Sequence, residues 1–208
     1  MQSKIIHSVV SGALAVALSA TVATAAEMNS GSYVGLSVIG SNISDVDFNN
    51  GKGSTNSASL DTAKGVMLRG GRDMGAVRAE LELGYRKVDI DGVKTGTAAS
   101  GDSKLYTAMI NAAYDFDTDS AVTPYISAGI GAIRATGNIA YSDTDGDAVA
   151  QNFSGTAVAG QVGLGIGYAV SSNVNIVGGY SFLAAPTKSN MDGTIKMHSI
   201  QLGLNYNF

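Results

Sequence analysis

The chain has 208 residues, a formal net charge of -4, 27 glycines and no cysteine. This length allows one closed domain, and the lack of cysteine excludes a disulfide framework and a thiolate metal site. The acidic balance argues against a nucleic-acid partner, and only two histidines are present for zinc binding or catalysis. The composition therefore predicts no nucleic-acid partner and no cofactor.

The first 26 residues have the form of a secretory signal peptide. Lys4 supplies a positive start, "VVSGALAVALSA" (9–20) an apolar centre, and "TVATAA" (21–26) the small residues of a cleavage site. The apolar run is shorter than the ~20 residues that a membrane-spanning helix needs. We expect residues 1–26 to be cleaved and residues 27–208 to form one domain.

The rest of the chain alternates with a period of two residues, which is typical of strands. Strands are predicted at about 32–41, 63–72, 76–89, 103–116, 122–135, 153–169, 173–183 and 194–208. The connectors are short at 73–75, 117–121 and 170–172, and long and polar at 42–62, 90–102, 136–152 and 184–193. This alternation predicts an all-β fold: an eight-stranded antiparallel up-and-down transmembrane β-barrel with short periplasmic turns and long extracellular loops.

The third predicted strand, "VRAELELGYR" (77–86), carries four charges at one parity and apolar residues at the other. Lipid-facing Lys or Arg costs about 2–4 kcal/mol at the membrane midplane, so the charges should face the lumen. Buried charges need partners, and Gln161 and Arg69 of neighbouring strands are candidate companions. We predict a lumenal charge network of Arg69, Arg78, Glu80, Glu82 and Arg86. It could stabilise the barrel or gate a narrow ion path.

The fourth and sixth predicted strands also indicate that apolar residues face outward, which is the reverse of the pattern in soluble barrels. The apolar parity of the fourth strand has aromatic residues at both ends, Tyr106 and Phe116, as in the girdles of membrane barrels. The opposite parity of both strands is rich in small or polar residues, which predicts a narrow polar lumen. In the first and fifth strands Tyr33 and Tyr125 break the parity, and their direction stays open.

Three lysines lie at the apolar parity beside the long loops: Lys87, Lys104 and Lys196. This position corresponds to the outer rim of the barrel, where lipopolysaccharide phosphates lie. Lipid contact and simple solvation are both compatible with the pattern.

Two other motifs contain residue types that bind metals or act in catalysis. "DTDGD" (143–147) lacks the glycine and glutamate positions of a calcium-binding EF-hand loop, so no metal site is predicted. His198 is followed by Ser199, and adjacent strand residues point to opposite faces. These two side chains therefore cannot form a nucleophile–base pair, and no catalytic residues are predicted.

The C-terminal stretch "IQLGLNYNF" alternates apolar and polar residues and ends in Tyr-x-Phe. It resembles the assembly signal of outer-membrane barrels, here Leu202, Leu204, Tyr206 and Phe208. With "GSYVGLSVIG" (31–40), "LYTAMINAAYDF" (105–116) and "PYISAGIGA" (124–132), the chain resembles the small opacity-type and OmpA-type barrels, the "porin family" or outer membrane protein β-barrel domain.

The resemblance covers roughly residues 31–208 and implies a bacterial outer-membrane location. It also implies contact with outer-membrane lipids and lipopolysaccharide, and with the barrel assembly machinery through the C-terminal strand. The expected function is structural support and surface display as an antigen, with adhesion to a host or surface ligand through the loops. A narrow channel is the main alternative; a lipid A-modifying enzyme and a soluble ligand-binding barrel are less favoured.

Overall fold

The computed structural model of this chain describes residues 31–43, 46–49, 55–58, 62–91, 99–142, 148–187 and 193–208. The strands are β1 (Ser32–Ile43), β2 (Val46–Asn49), β3 (Thr55–Ala58), β4 (Ala63–Asp73), β5 (Val77–Asp91), β6 (Ala99–Asp115), β7 (Val122–Ser142), β8 (Ala148–Ala169), β9 (Val174–Thr187) and β10 (Gly193–Asn207). No helix that could cross a membrane occurs in these ranges. The predicted signal peptide, residues 1–26, lies outside them.

Eight of these strands close into one antiparallel barrel in the order β1-β10-β9-β8-β7-β6-β5-β4. Because each strand pairs with its sequence neighbours and β1 pairs with β10, the up-and-down topology is confirmed. The short strands β2 and β3 pair only with each other, as a hairpin within the connection between β1 and β4.

The turns at one end are short because their residues suit tight chain reversal. Between β4 and β5, Gly75 has φ of 95°, a left-handed conformation that glycine adopts without steric cost. Its N–H donates to Asp73 Oδ1 at 2.9 Å, and the Met74 N–H donates to the Val77 carbonyl at 2.9 Å. These local bonds fix the register with which β5 returns along β4.

Strands at the opposite end are longer than the sequence predicted. β7 and β8 pair as far as Ser142 and Ala148, so much of the predicted connector 136–152 is a hairpin ladder. β6 begins at Ala99 and pairs with β7 from there. In these extensions the sequence no longer alternates between apolar and polar residues, while the backbone pairing continues.

The predicted inversion of the two faces is present in the structure. The outer surface is apolar, with Leu36, Ile110, Ile130, Val158 and Ile200 each more than 60% exposed. Leu204 also points outward, and Glu80 and Glu82 are buried inside. Tyr33 and Tyr125, whose direction the sequence left open, are both buried in the lumen.

Candidate functional site

The charged residues of the lumen come mainly from two adjacent strands. Strand alternation places Arg69 of β4 and the charged parity of β5 on the inner face. The register sets Arg69 directly opposite Glu82, and Gly71 opposite Glu80. Glycine at position 71 leaves room there, since a Cβ would come within 2.5 Å of the Tyr33 ring.

Two arginines and two glutamates of the predicted network form a chain of ion pairs. Arg69 Nε lies 3.4 Å from Glu80 Oε2, and Arg69 Nη2 lies 3.6 Å from Glu82 Oε2. Arg78 Nη1 lies 3.1 Å from Glu80 Oε1. Arg78 Nε also lies 2.8 Å from Asp115 Oδ2 on β6, so the chain of charges begins and ends on carboxylates.

Uncharged polar groups from four other strands extend this ion-paired lattice across the lumen. The Tyr33 hydroxyl of β1 donates to Glu80, and Asn111 Nδ2 of β6 donates to Glu82 Oε2 at 3.4 Å. Arg69 Nη2 donates to Gln201 Oε1 of β10 at 3.0 Å, and Gln201 Nε2 donates to the Tyr125 hydroxyl of β7 at 3.4 Å. The lattice therefore bridges opposite walls of the barrel.

The Arg78 guanidinium is further held between two aromatic rings. It lies 5.8 Å from the centroid of the Tyr33 ring and 4.9 Å from that of the Tyr125 ring. Both distances are within the range of cation–π attraction. The Tyr125 hydroxyl rests over Gly165 and Gly179, where an added Cβ would lie 2.5 and 2.7 Å from it. The glycines of β8 and β9 thus make the space for this ring.

Arg86 stands apart from the other four residues of the predicted network. It is 1% exposed, and in the described part of the chain no carboxylate lies within ion-pair distance of it. Its Nε donates to Ser41 Oγ at 2.9 Å and its Nη1 to Thr107 Oγ1 at 3.1 Å. Two hydroxyls hold it where the ion-paired lattice meets the apolar part of the lumen. Gln161 is buried, but the ion pairs and hydrogen bonds that form the lattice in the described residues do not include it.

The loop-side half of the lumen is apolar, which corrects the prediction of a polar lumen throughout. We name this region the apolar cap. It consists of Ile43, Ala63, Val88, Leu105, Met109, Ile133, Ala159, Leu183, Ala185 and Met197, all at most 6% exposed. On the same strands, the outward neighbours of several cap residues are charged: Lys64, Lys87, Lys104 and Lys196. The pattern of an apolar outer parity and a polar inner parity therefore does not extend to the loop end, and the cap was not predicted from the sequence.

The turn-side end of the lumen holds an open polar cavity of about 190 Å³. Its walls include Tyr33, Asp73, Arg78, Asp115 and Asn205. The lattice forms the inner end of this cavity and the apolar cap lies beyond the lattice. A solute that entered from the turn side would meet both barriers in succession.

The outer surface carries a row of cations near the loop end. Lys64, Lys87 and Lys104 are exposed and occupy successive positions across β4, β5 and β6, with Lys64 opposite Lys87 and Lys87 opposite Lys104. Arg134 lies opposite Tyr106, two residues nearer the middle of the barrel than Thr136, the residue opposite Lys104. Tyr106 in turn contacts Tyr85, with ring centroids 5.4 Å apart. Lys196 is exposed on β10, away from this row.

The residues that resemble an assembly signal all face outward, three of them on β10 and Phe208 directly after it. Leu202, Leu204, Tyr206 and Phe208 are each more than half exposed. The Phe208 N–H donates to the Ser32 carbonyl at 2.9 Å, which joins the C-terminus to the start of β1.

His198 and Ser199 point to opposite faces of β10. Ser199 is buried and its Oγ lies 2.8 Å from Ser41 Oγ. His198 is exposed, with Nδ1 2.6 Å from the Tyr180 hydroxyl and its ring 4.9 Å from the Phe182 centroid. No cluster of three or more His, Asp or Glu residues suited to a metal occurs in the described residues, and "DTDGD" lies outside them.

The sequence predicted small or polar residues on the lumenal parity of the fourth predicted strand, but it did not identify the other members of the lattice: Tyr33, Asn111, Asp115, Tyr125 and Gln201. For Asn111, Asp115 and Gln201 the only signal was parity, and for Tyr33 and Tyr125 the sequence left the direction open. Contacts such as Tyr33 with Glu80, 47 residues apart, depend on how far each strand is displaced along its neighbour around the closed barrel.

An apolar outer wall around a closed antiparallel barrel matches a known family. Residues 11–208 match the family described as outer membrane protein beta-barrel domain. The chain belongs to this family. It is an outer-membrane β-barrel protein, and its apolar outer wall faces the lipid of that membrane.

Solved structures with the same fold are distant in sequence. Neisserial surface protein A is 21% identical, with a TM-score of 0.60 over 87% of this chain and 100% of that one. Ail of Yersinia pestis, in complex with the heparin analogue sucrose octasulfate, is 18% identical, with a TM-score of 0.54 and the same coverages. The outer membrane protease OmpT of Escherichia coli is 10% identical, with a TM-score of 0.51 over 86% and 96%. These similarities establish the fold alone. Among curated proteins, none matches the chain.

Proposed function

We propose that this protein is a non-conducting barrel that supports the outer membrane and displays its loop end at the cell surface, where it contacts a host or surface ligand. The observation that carries the proposal is the doubly closed lumen. The ion-paired lattice bridges the walls on the turn side, and the apolar cap fills the loop side. An eight-stranded barrel is just wide enough for its own side chains.

Planar-bilayer recording tests the closed lumen. We expect wild-type protein to give no stepwise openings in lipid bilayers, because an ion would have to break the lattice and then cross an apolar layer. Discrete wild-type openings, reduced in Arg78→Ala, would support the narrow-channel alternative and overturn this proposal.

Surface display can be tested with single cysteines, since the chain has none of its own. We expect Gly146→Cys, in the connection between β7 and β8, to react with a membrane-impermeant maleimide on intact cells. Ser172→Cys, in the short turn between β8 and β9, is the matched control and should react only after the outer membrane is opened. The opposite labelling pattern would reverse the proposed orientation.

The row of outer-wall cations supports a second element of the function, contact with lipid phosphates. Lys64, Lys87 and Lys104 stand opposite one another on three adjacent strands, so a lipid phosphate over this row would be attracted by all three cations. Arg134 and the Tyr85–Tyr106 pair border the same region. An outward groove of about 460 Å³ lies beside them, lined in part by Leu83, Ala108 and Ala132. It suits an acyl chain.

Native mass spectrometry in detergent tests this contact with purified diphosphorylated lipid A. The combined Lys64→Gln, Lys87→Gln and Lys104→Gln variant should retain less of this lipid than wild type, and dephosphorylated lipid should bind both equally. Lys196→Gln, which removes a single cation elsewhere, is the control and should have a smaller effect. Equal retention by all three proteins would show that these lysines do not bind the lipid phosphates.

We propose no enzymatic role. The only histidine in the described ranges bonds to a tyrosine on the outer wall, and the neighbouring serine lies inside the barrel. Loss of lipid A turnover on His198→Ala would contradict this.

A further inference from the structure

The hairpin of β7 and β8 extends further toward the loop end than the pairing between β8 and β9. β8 pairs with β7 along its whole length, from Ala148 to Tyr168. Its pairing with β9 covers only Gly160 to Ala169. No described strand therefore pairs with the β9-facing side of residues 148–158, and we call this side the open edge of β8.

The direction of the backbone groups on this edge follows from two turn contacts. The Ala169 N–H donates to the Ala121 carbonyl on the β7 side, and the Val170 N–H donates to the Val174 carbonyl on the β9 side. Directions alternate along an antiparallel strand, and the register of β8 with both neighbours is constant. The even-numbered residues therefore turn their N–H and C=O groups to the open edge: Ala148, Ala150, Asn152, Ser154, Thr156 and Val158.

Pro186 explains why the β8–β9 ladder stops. The register that sets Gly160 opposite Ala184 would set Val158 opposite Pro186. By the same alternation, residue 186 faces β8, but proline has no N–H to donate. β9 continues to Thr187 in contact with β10, and among the described strands none pairs with this side of β8 beyond Gly160.

The open edge lacks the features that normally protect a free strand. Charged residues and proline are the usual protection, yet residues 148–158 contain neither. By contrast, the part of β5 that extends beyond its pairing with β4 carries Asp89 and Asp91. On the open edge, Asn152, Ser154 and Thr156 are exposed. Thr156 is opposite Arg134, level with the aromatic Tyr106, so the edge above it lies outside the lipid.

We propose that the open edge of β8 is a docking site for an extended segment of a partner polypeptide, which joins the wall as an added strand. Backbone N–H and C=O groups supply the attraction, as in other cases of strand addition. The inference rests on the proposed surface-contact function and gives it a partner chemistry: an extended chain recognised through its backbone rather than through charged side chains.

A second copy in the same membrane does not fit this edge. Two barrels inserted in the same direction are related by an axis along the membrane normal. Strands tilted by about 35–45° would then cross at about 70–90°, too steeply for a hydrogen-bonded ladder. A free extended peptide can align with the edge.

The experiment uses the full-length barrel in lipid nanodiscs and a fluorescein-labelled peptide. The probe has twelve alternating Thr and Val residues with two Lys residues at each end. Binding is followed by fluorescence anisotropy, and amide hydrogen exchange by NMR reports individual positions. Without peptide, the amides of Asn152, Ser154 and Thr156 should exchange quickly and those of Phe153, Gly155 and Ala157 slowly. Peptide should slow the even-numbered set.

Two matched double variants separate backbone from side-chain recognition. Ser154→Pro with Thr156→Pro removes two donors from the open edge and leaves the bonds to β7 intact. Ser154→Ala with Thr156→Ala changes the same side chains and keeps both N–H groups. We expect the proline variant to lose affinity about tenfold, as two lost backbone hydrogen bonds would cause, and the alanine variant to bind like wild type. An unchanged heat-dependent gel shift verifies folding of both.

Several results would overturn the inference. These are no peptide binding by wild type, equal losses in the two variants, protection of the even-numbered amides without peptide, or protection that depends on protein concentration. None of these results affects the closed-lumen proposal, provided that the protein shows no stepwise conductance in planar bilayers. Conductance combined with proline-sensitive peptide binding would overturn that proposal and support the docking edge.

Discussion

The two halves of the lumen are closed by different physical means, although the same eight strands enclose both. On the turn side, Arg69, Arg78, Glu80, Glu82 and Asp115 form a connected lattice in which each charge has an opposite partner. On the loop side, aliphatic and methionine side chains fill the barrel as they would fill a soluble core. The first half depends on particular pairs of residues and the second on filled volume.

This difference predicts how each half responds to substitution. Removing one member of the lattice leaves charges that the rest of the lumen cannot solvate, so the damage spreads to its partners. Removing volume from the apolar cap leaves a void whose cost is local. The two halves should therefore differ both in the size of the effect and in how well a conservative substitution rescues it.

The largest effect is expected for Glu80→Ala. Glu80 contacts Arg69 and Arg78 and accepts a hydrogen bond from Tyr33. Its loss leaves two buried cations short of a partner, and breaking a buried ion pair typically costs about 3–5 kcal/mol. We expect a lower urea midpoint for unfolding in lipid vesicles, followed by the heat-dependent gel shift.

The matched control is Glu80→Gln, which keeps an acceptor for Tyr33 and most of the volume but removes the charge. It should fall between wild type and Glu80→Ala. Equal stabilities for all three proteins would mean that water solvates these charges and that the lattice does not close the lumen.

A smaller effect is expected for Leu183→Ala in the apolar cap. Leu183 is 1% exposed, and all members of the apolar cap around it are uncharged. Leucine-to-alanine substitutions in packed cores cost about 2–5 kcal/mol, depending on how far the surroundings relax, and a membrane barrel with flexible methionines nearby should lie at the lower end. The same urea titration measures it.

Leu183→Met tests whether the apolar cap depends on volume alone. This nearly volume-conserving substitution should cost less than about 1.5 kcal/mol. A cost as large as that of Leu183→Ala would show that the cap depends on specific side-chain shape, and would weaken the contrast with the lattice.

Strand alternation in the sequence predicted the charged half of the lumen but not the apolar half. Four charges at one parity of β5 had to face inward once the outer wall was apolar, and they do. The apolar cap was missed because the polar inner parity was read from the charged stretch of β5 and extended to the whole lumen. Near the loops the pattern differs: Leu105 and Ile133 point inward, and their outward neighbours include Lys104 and Arg134. The partners of each charge escaped because contacts across a barrel depend on strand displacement, which the chain's own periodicity does not encode.

Arg86 lies at the border of the two halves and should give the smallest effect. No described carboxylate is within ion-pair distance, and its bonds go to Ser41 and Thr107. Arg86→Met therefore removes a buried cation without breaking a direct ion pair, and it extends the apolar cap by one side chain. The loss of two hydrogen bonds, at about 0.5–1.5 kcal/mol each, is offset by the smaller desolvation cost of methionine. We expect a change within about 1 kcal/mol of wild type in the urea titration.

Arg69→Met is the matched comparison, because it makes the same substitution within the ion-paired lattice and not at its border. Arg69 neutralises Glu80 and Glu82 directly, so its removal should cost several times more than that of Arg86. If the two variants lost equal stability, Arg86 would belong to the lattice through longer-range attraction, and the border between the two halves would lie closer to the loops. A stabilised Arg86→Met would instead place that border at Arg86 itself, where hydroxyl groups hold a charge that the fold does not need.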